Sequence, residues 1–419
     1  MTAQALTVET TPISDIRQLI LLLDQRKPLL WMRRNQGLAG IGVALRLEFS
    51  GPTRMTDAAA AWREVVAAAT VNDPLARSGT GLIAFGAFAF DESSSETSVL
   101  IVPEVVVGRE NGECWVTRTH LTEAGPTGTG TGTPAPDIPL ALRPLGDEYR
   151  ISLLPGALPP DGFRRAVGDA VEHIANRDLS KVVLARDLVG HLPAESDLRR
   201  AITELALGYP DCWTYAVDGL VGSSPETLIR ADHGEVNARV LAGTISRGAD
   251  AAADHEAALT LATSAKDGDE HEFAVQSVLN SLRPHTSHIT VSEVPFTVKL
   301  PNLWHLATDL EGTLSDGSNS LDLIAALHPT AAVAGTPTDD ALALIRELEP
   351  FDRGRYAGPV GWIGADGDGE WAIALRCAQV DADGGITAYA GCGIVLDSEP
   401  ERELAETKMK FRPVVEAFG

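Results

Sequence analysis

Asp267 and Glu270 lie three residues apart in Ser264-Ala265-Lys266-Asp267-Gly268-Asp269-Glu270-His271-Glu272, just ahead of the apolar Phe273, Val275, Val278, Leu279 and Leu282. Glu403 and Glu406 repeat the spacing near the end of the chain, with Lys410 one turn beyond Glu406. Helical residues at i and i+3 share a face, so each segment stacks two carboxylates that repel unless something positive answers them. Two readings fit this pattern. The faces are solvated acidic surfaces, as in any acidic protein, or they oppose one another with four carboxylates around a divalent cation. Oxygen-only ligands would suit Mg²⁺, which takes few carboxylates, several waters and an anionic substrate group. Spacing alone leaves both open.

The elements that must position these groups are legible in outline. Ile394 to Leu396 reads as a short buried strand, followed by a helix in which Ser398 and Glu401 form a capping box and Pro400 occupies the first turn. Helical stretches are predicted at residues 14–25, 56–69, 160–176, 265–282, 321–327 and 338–348. Strands are predicted at 40–49 and 181–186, which alternate, and at 81–90, 99–107, 114–119, 236–240, 289–293, 356–363 and 371–380, with a hairpin over 213–222. Pro103 marks an edge or bulge in its strand. Helices, strands and short turns in mixed order predict an α+β fold rather than a βαβ series. Gly125 to Pro136 (GPTGTGTGTPAP) has G-x-G spacing, but neither a strand before it nor a helix after it; it reads as a flexible surface connection, not a phosphate loop.

Composition bounds the function. With 44% hydrophobic residues the chain can bury a large core, and a net charge of −24 argues against nucleic acid or anionic membrane as partner. An anionic substrate would have to be met by a metal or by locally placed Arg and Lys. Four widely spaced cysteines without a C-x-x-C give neither a disulfide framework nor a zinc site. Early acidic residues and the lack of any long apolar run predict a soluble cytoplasmic protein without a signal peptide.

Nine blocks, taken together, resemble the chorismate-utilising enzymes, the family of isochorismate, salicylate, anthranilate and aminodeoxychorismate synthases. They are SKVVLAR (180–186), SSPETLIR (223–230), LAGT (241–244), SAKDGDEHE (264–272), LWHL (303–306), HPTAAVAGTP (328–337), FDRGRYAGPVGW (351–362), ALRC (374–377) and AGCGIVLDSEPERELAETKMK (390–410). They occur in the family's order over the C-terminal two-thirds. The N-terminal third matches loosely, through residues 81–91 and 100–110. The resemblance implies a single large α/β sandwich built on extensive antiparallel sheets, with 1–150 as its loosely matching N-terminal part and 155–419 as the catalytic region.

The resemblance also implies roles. Glu270 and Glu406 would be the nearer ligands of Mg²⁺, with Asp267 and Glu403 linked through water; the family usually has Glu where Asp267 stands. Arg376 and Tyr356 would hold the enolpyruvyl carboxylate of chorismate, and Gly391 and Gly393 would offer backbone N–H groups to the ring carboxylate. Gly243, Thr244 and Lys410 would line the pocket. His305 would be catalytic or simply a satisfied interior histidine. Lys181 matches the base that activates water, and Glu226 the acid that protonates the departing C4 oxygen. Such chemistry requires a partly neutral Lys and a partly protonated Glu, and burial shifts each in that direction.

Lys181 favours water as nucleophile, because the ammonia-using relatives lack Lys there. The resemblance therefore implies an isochorismate synthase serving menaquinone or siderophore synthesis, a monomer needing no glutaminase subunit. A salicylate synthase is the alternative. Ala332 favours the former, whereas Leu375 and the Tyr356 hydroxyl favour the latter. An anthranilate or aminodeoxychorismate synthase component is opposed by Lys181. A non-catalytic chorismate-binding relative would have lost one of Lys181, Glu226, Glu270 or Glu406, and none is lost.

Overall fold

The structure, a computed structural model, describes residues 5–122, 139–176, 179–299 and 303–419, without the side chains of Lys266, Glu270 and Leu303. The Gly/Thr/Pro segment at 125–136 lies outside the described residues. Two largely antiparallel sheets, of 13 and 10 strands, organise the chain. The long Lys181–His191 strand pairs with the Gly385–Ile394 strand in the larger sheet, and Glu235–Ser246 pairs with Leu303–Leu314 in the smaller. N-terminal strands enter both: Leu29–Arg33 pairs with Trp213–Val217 in the larger, and Ile83–Ala87 with Pro359–Gly364 in the smaller. The α+β class with extensive antiparallel sheets expected from the sequence is the architecture found.

The main core contains fully buried Trp31, Phe85, Phe88, Tyr215 and Trp371, contributed by strands of both sheets and the turn after Ile83–Ala87. Each large apolar side chain so buried contributes on the order of 2–3 kcal/mol. A second cluster packs Leu198, Ile202 and Leu205 with Phe411, Val414 and Phe418 of the last helix, Pro400–Phe418. The Pro160–Asn176 helix buries Phe163, Val167, Ala170 and Ile174, the helical stripe its sequence shows.

Several strands that read as continuous in the sequence instead cross from one sheet to the other. The 40–49 stretch divides into Gln36–Ile41 in the larger sheet and Leu45–Phe49 in the smaller, with Gly42 at φ +69 between them. The 99–107 stretch divides at Pro103 into Ser98–Val102 and Val105–Glu110. The 371–380 stretch divides into Gly369–Ile373 and Cys377–Val380, with Arg376 at φ +50. Each stretch stays rich in apolar residues through its corner, so the sequence pattern does not reveal the change of sheet.

Three local expectations fail. The buried strand predicted over Ile394 to Leu396 does not form: the Gly385–Ile394 strand ends there and Leu396 lies exposed in the following turn. Residues 14–25 contain only a 3-10 turn, Leu19–Leu22; Leu19, Leu22 and Leu23 are drawn into the second cluster beside Leu198 and Leu205, so tertiary packing overrides the local helical pattern. The last helix has Glu399, not Ser398, at its N-cap, without a side-chain cap. The Ser398 hydroxyl accepts the Val395 N–H instead, closing the turn between strand and helix, while Pro400 sits at the helix start as expected. The Ala265–Leu282 helix is capped by Ser264, whose hydroxyl accepts the Asp267 N–H.

Candidate active site

A cavity of about 230 Å³ is lined by strands of both sheets and by the last helix. It is lined by Lys181, Glu226, Gly243, Thr244, Asp267, His305, Ala332, Tyr356, Leu375, Arg376, Gly391, Gly393, Glu403, Glu406 and Lys410. Every residue singled out from the sequence is thus brought to one place, apart from Glu270, whose side chain lies outside the described residues. Glu226 and Arg376 occupy neighbouring crossings: Glu226 follows Leu220–Ser224 in the larger sheet and precedes Thr227–Asp232 in the smaller, and Arg376 makes the reverse passage. The corner backbone is still tied, Ile373 N–H to Glu226 O at 3.1 Å and Ser223 N–H to Arg376 O at 3.2 Å, and both side chains line the cavity.

The last strand explains its two glycines. Val183 and Ala185 face Gly393 and Gly391 across the ladder, yet they spend their own backbone groups on the opposite side: Val183 N–H on Ala334 O, and Ala185 N–H on Glu349 Oε1. In an antiparallel ladder such pairs exchange no hydrogen bonds, so Gly391 and Gly393 also turn their N–H and C=O groups away from the Lys181 strand. There the neighbouring strand Cys377–Val380 pairs only as far as Tyr389. Those groups therefore open beside the cavity, and Gly391 O accepts from Lys410 Nζ at 2.9 Å. A Cβ on Gly393 would lie 2.7 Å from Lys181 Cε, and one on Gly391 would lie 2.7 Å from Leu184 O. The missing side chains make room for the Lys181 stem and for the facing backbone.

Charge is distributed unevenly around the cavity. Lys410 Nζ meets Glu406 at 2.6 Å, so one positive answer to the stacked carboxylates is a lysine one turn along the same helix. Glu403 is pushed up by burial and by the charge of Glu406. Asp267, Glu403 and Glu406 thus bring oxygen donors alone to one wall, with negative charge in excess of that lysine; the set fits a hard divalent cation. A tighter group of Asp232, His233 and Asp368 occurs elsewhere, and there His233 Nδ1 bridges the two carboxylates at 2.6 and 3.5 Å.

Opposite, desolvation dominates. Burial pushes Glu226 up to about 7, although Lys181, Lys410 and Arg376 pull the other way. Burial pulls His305 down to about 3, helped by Arg376 and Lys410, so the ring is neutral at physiological pH. Its Nδ1 is 2.9 Å from Thr244 Oγ1, while the buried Nε2 has no hydrogen-bond partner among the described residues. Thr244 is presented by a bulge in the Glu235–Ser246 strand, where Gly243 adopts φ +78. Burial also lowers Arg376, whose guanidinium has no hydrogen-bond or ion-pair partner among the described residues. A desolvated, unpaired guanidinium in a chain of net charge −24 is a ready site for an anion.

The family model described as "Chorismate binding enzyme" matches residues 3–419. The chain belongs to that family. Isochorismate synthase DhbC of Bacillus subtilis (strain 168) is 38% identical over 286 residues, covering 65% of this chain and 71% of that protein. The salicylate biosynthesis isochorismate synthase of Pseudomonas aeruginosa is 31% identical over 435 residues, covering 99% and 90%. The solved structure of DhbC from Bacillus anthracis superposes with a TM-score of 0.77 at 29% identity, over 96% of this chain and 98% of that one. Among the described residues no helix of this family member is long and apolar enough to cross a membrane.

Sequence reasoning passed over Arg353 and Tyr389, which also line the cavity. Tyr389 stacks on Tyr356, with ring centroids 5.3 Å apart and planes 17° apart. Arg353 lies within the FDRGRYAG block, and only the fold reveals what it binds. Tyr389 carries no comparable signal, since an aromatic in a strand reads as ordinary core.

Proposed function

We propose that this protein is an isochorismate synthase, adding water at C2 of chorismate with loss of the C4 hydroxyl. The observation that carries the reading is Glu226, a buried carboxyl held near 7 in the same cavity as Lys181 and Arg376, the latter without a side-chain partner among the described residues. The relatives named above supply the substrate class. In this reading Lys181 Nζ takes a proton from water as its oxygen bonds to C2. Both ring double bonds shift, C1=C2 to C1=C6 and C5=C6 to C4=C5, the C4–O bond breaks, and Glu226 gives its proton to the departing oxygen, releasing water. Arg376 and Tyr356 hold the enolpyruvyl carboxylate, the N–H groups of Gly391 and Gly393 meet the ring carboxylate, and neutral His305 steadies the ring edge through Nε2. Lys410, tied to Glu406 and Gly391 O, keeps the last helix in register with the last strand.

Glu406, Glu403 and Asp267, with Glu270 from the facing helix, would hold Mg²⁺. Bound there, the metal would neutralise the ring carboxylate and draw electron density from the ring. Metal requirement is read by activity in EDTA-treated buffer with and without added Mg²⁺. The reading also expects a monomer acting in the cytoplasm without a glutaminase; the four buried, unbridged cysteines suit a reducing compartment.

A second reading, a salicylate synthase, is favoured by Leu375 and the Tyr356 hydroxyl lining the same cavity as Ala332. Ala332 outweighs them, because without a hydroxyl and methyl it leaves room for the enolpyruvyl chain to stay extended. Purified protein given chorismate and Mg²⁺ should reach a mixture of chorismate and isochorismate. Pyruvate, followed by a lactate dehydrogenase coupled assay, should stay at background. Steady enzyme-dependent pyruvate with salicylate fluorescence would overturn the choice.

A further inference from the structure

The Lys181–His191 strand has an incomplete outer edge. Gly335–Thr336 pairs with it only at Lys181 and Val182, and Leu154–Pro155 only at Leu188 and Val189. Between them lies the part of the strand that flanks the cavity. Three groups satisfy its backbone at Val183 and Ala185. Val183 N–H reaches Ala334 O at 2.8 Å, Val183 O accepts from Arg353 Nη2 at 2.7 Å, and Ala185 N–H reaches Glu349 Oε1 at 2.7 Å.

Glu349 and Arg353 also pair with each other, Nε to Oε2 at 2.8 Å and Nη2 to Oε1 at 2.6 Å, with side chains only 2% exposed. Arg353 Nη1 donates to Val333 O at 2.9 Å, in the turn that carries Ala332. The guanidinium lies 4.5 Å over the Phe90 ring, and Arg353 O accepts the Tyr356 N–H at 3.0 Å. One planar fork therefore joins three walls of the cavity: the Lys181 strand, the Ala332 turn and the Tyr356 segment. A buried ion pair yields little net stability over an apolar pair of the same volume. Its distinctive contribution here is geometric.

We infer that Glu349 and Arg353 are positioning residues, a side-chain substitute for a missing strand segment that fixes the spacing between Lys181 and the Ala332–Tyr356 side of the cavity. The inference rests on the proposed isochorismate synthase reading. Neither residue is asked to touch the reacting atoms.

Arg353→Lys keeps a cation beside Glu349 but loses the planar fork that reaches two carbonyls together. Glu349→Gln combined with Arg353→Met removes both charges without stranding either. In each, kcat with chorismate should fall roughly 10²-fold, the scale of an ångström of misplacement, while KM moves less than about threefold. Amide exchange followed by mass spectrometry should quicken across residues 181–186 and 330–334. Unaltered kcat in either folded variant overturns the inference, as does a raised KM alone. So does a fall in kcat with unchanged exchange, which would have the pair acting directly on substrate. Failure of both variants to fold also overturns it, by making the pair a folding requirement. Absence of chorismate turnover by the unaltered chain refutes the proposed function instead, and the exchange measurement still reads the positional claim.

Discussion

The two sides of the cavity handle charge in opposite ways. On the side built from the last strand and helix, charges are met: Lys410 reaches both Glu406 and Gly391 O, and the carboxylates of Glu403, Glu406 and Asp267 share one wall. On the side built at the sheet crossings and the facing strands, Glu226 and His305 are buried and Arg376 is half-buried, all without ion pairs among the described residues. Paired charges hold a protonation state over a wide pH range and suit the binding of fixed anions and cations. A desolvated carboxyl such as Glu226 lies near its neutral form and suits proton transfer, whereas the Arg376 guanidinium stays charged and is available to an anion. One cavity thus separates holding from reacting, and substitutions on its two sides should fail differently.

The largest effect is expected on the reacting side. Glu226→Gln should lower kcat by about 10² to 10⁴-fold while chorismate binding survives. In the unaltered enzyme kcat/KM should fall as pH rises through about 7, where Glu226 loses its proton, and the variant should lose that limb. Stability has the same sign. A carboxyl raised from 4.5 to about 7 contributes stability that is fully present below 4.5 and lost as pH rises through 7. Glu226→Gln should therefore gain on the unaltered protein in thermal melts above pH 7. A variant with undiminished turnover would end the division of labour drawn here.

On the holding side, Glu406→Gln or EDTA should abolish most activity with little change in Tm, because the core lies elsewhere. Added Mg²⁺ should rescue the chelated enzyme fully and the variant only in part. Equal turnover in metal-free buffer would remove the metal from that wall.

The paired glycines sharpen the contrast within one strand. Gly393→Ala would meet the flexible Lys181 stem, so Tm should hold while kcat drops about tenfold or more through displacement of that lysine. Gly391→Ala would meet rigid backbone at Leu184 O and should cost about 1–3 kcal/mol of stability, read by urea unfolding. Reversal of the two outcomes would show that Lys181 does not occupy the space beside Gly393 in solution.

The smallest effect is expected at His305. The ring is neutral down to about pH 3, so its removal should leave the pH profile between 5 and 9 unchanged. His305→Asn should reduce kcat/KM by about 1–2 kcal/mol, the worth of one hydrogen bond. Loss of a pH limb in this variant would make the histidine a proton carrier and move it to the reacting role of Glu226.

The sequence alone determined the inventory and much of the local structure. The Pro160–Asn176 and Ala265–Leu282 helices, the 213–222 hairpin and the acidic i, i+3 spacing follow from periodicity and side-chain type, which are local properties. It also determined the family, because nine blocks in a fixed order exceed what composition produces. Tertiary structure alone decided where strands change sheets: Leu45–Phe49, Val105–Glu110 and Cys377–Val380 follow Gln36–Ile41, Ser98–Val102 and Gly369–Ile373 within one apolar-rich stretch yet lie on a different sheet. It alone decided that Glu226 is desolvated while Glu406 is answered by Lys410, since a side chain's pKa depends on the water and charge around it. And it alone made Arg353 the tie between three walls, because the carbonyls it reaches belong to residues 20 and 170 positions away in the chain.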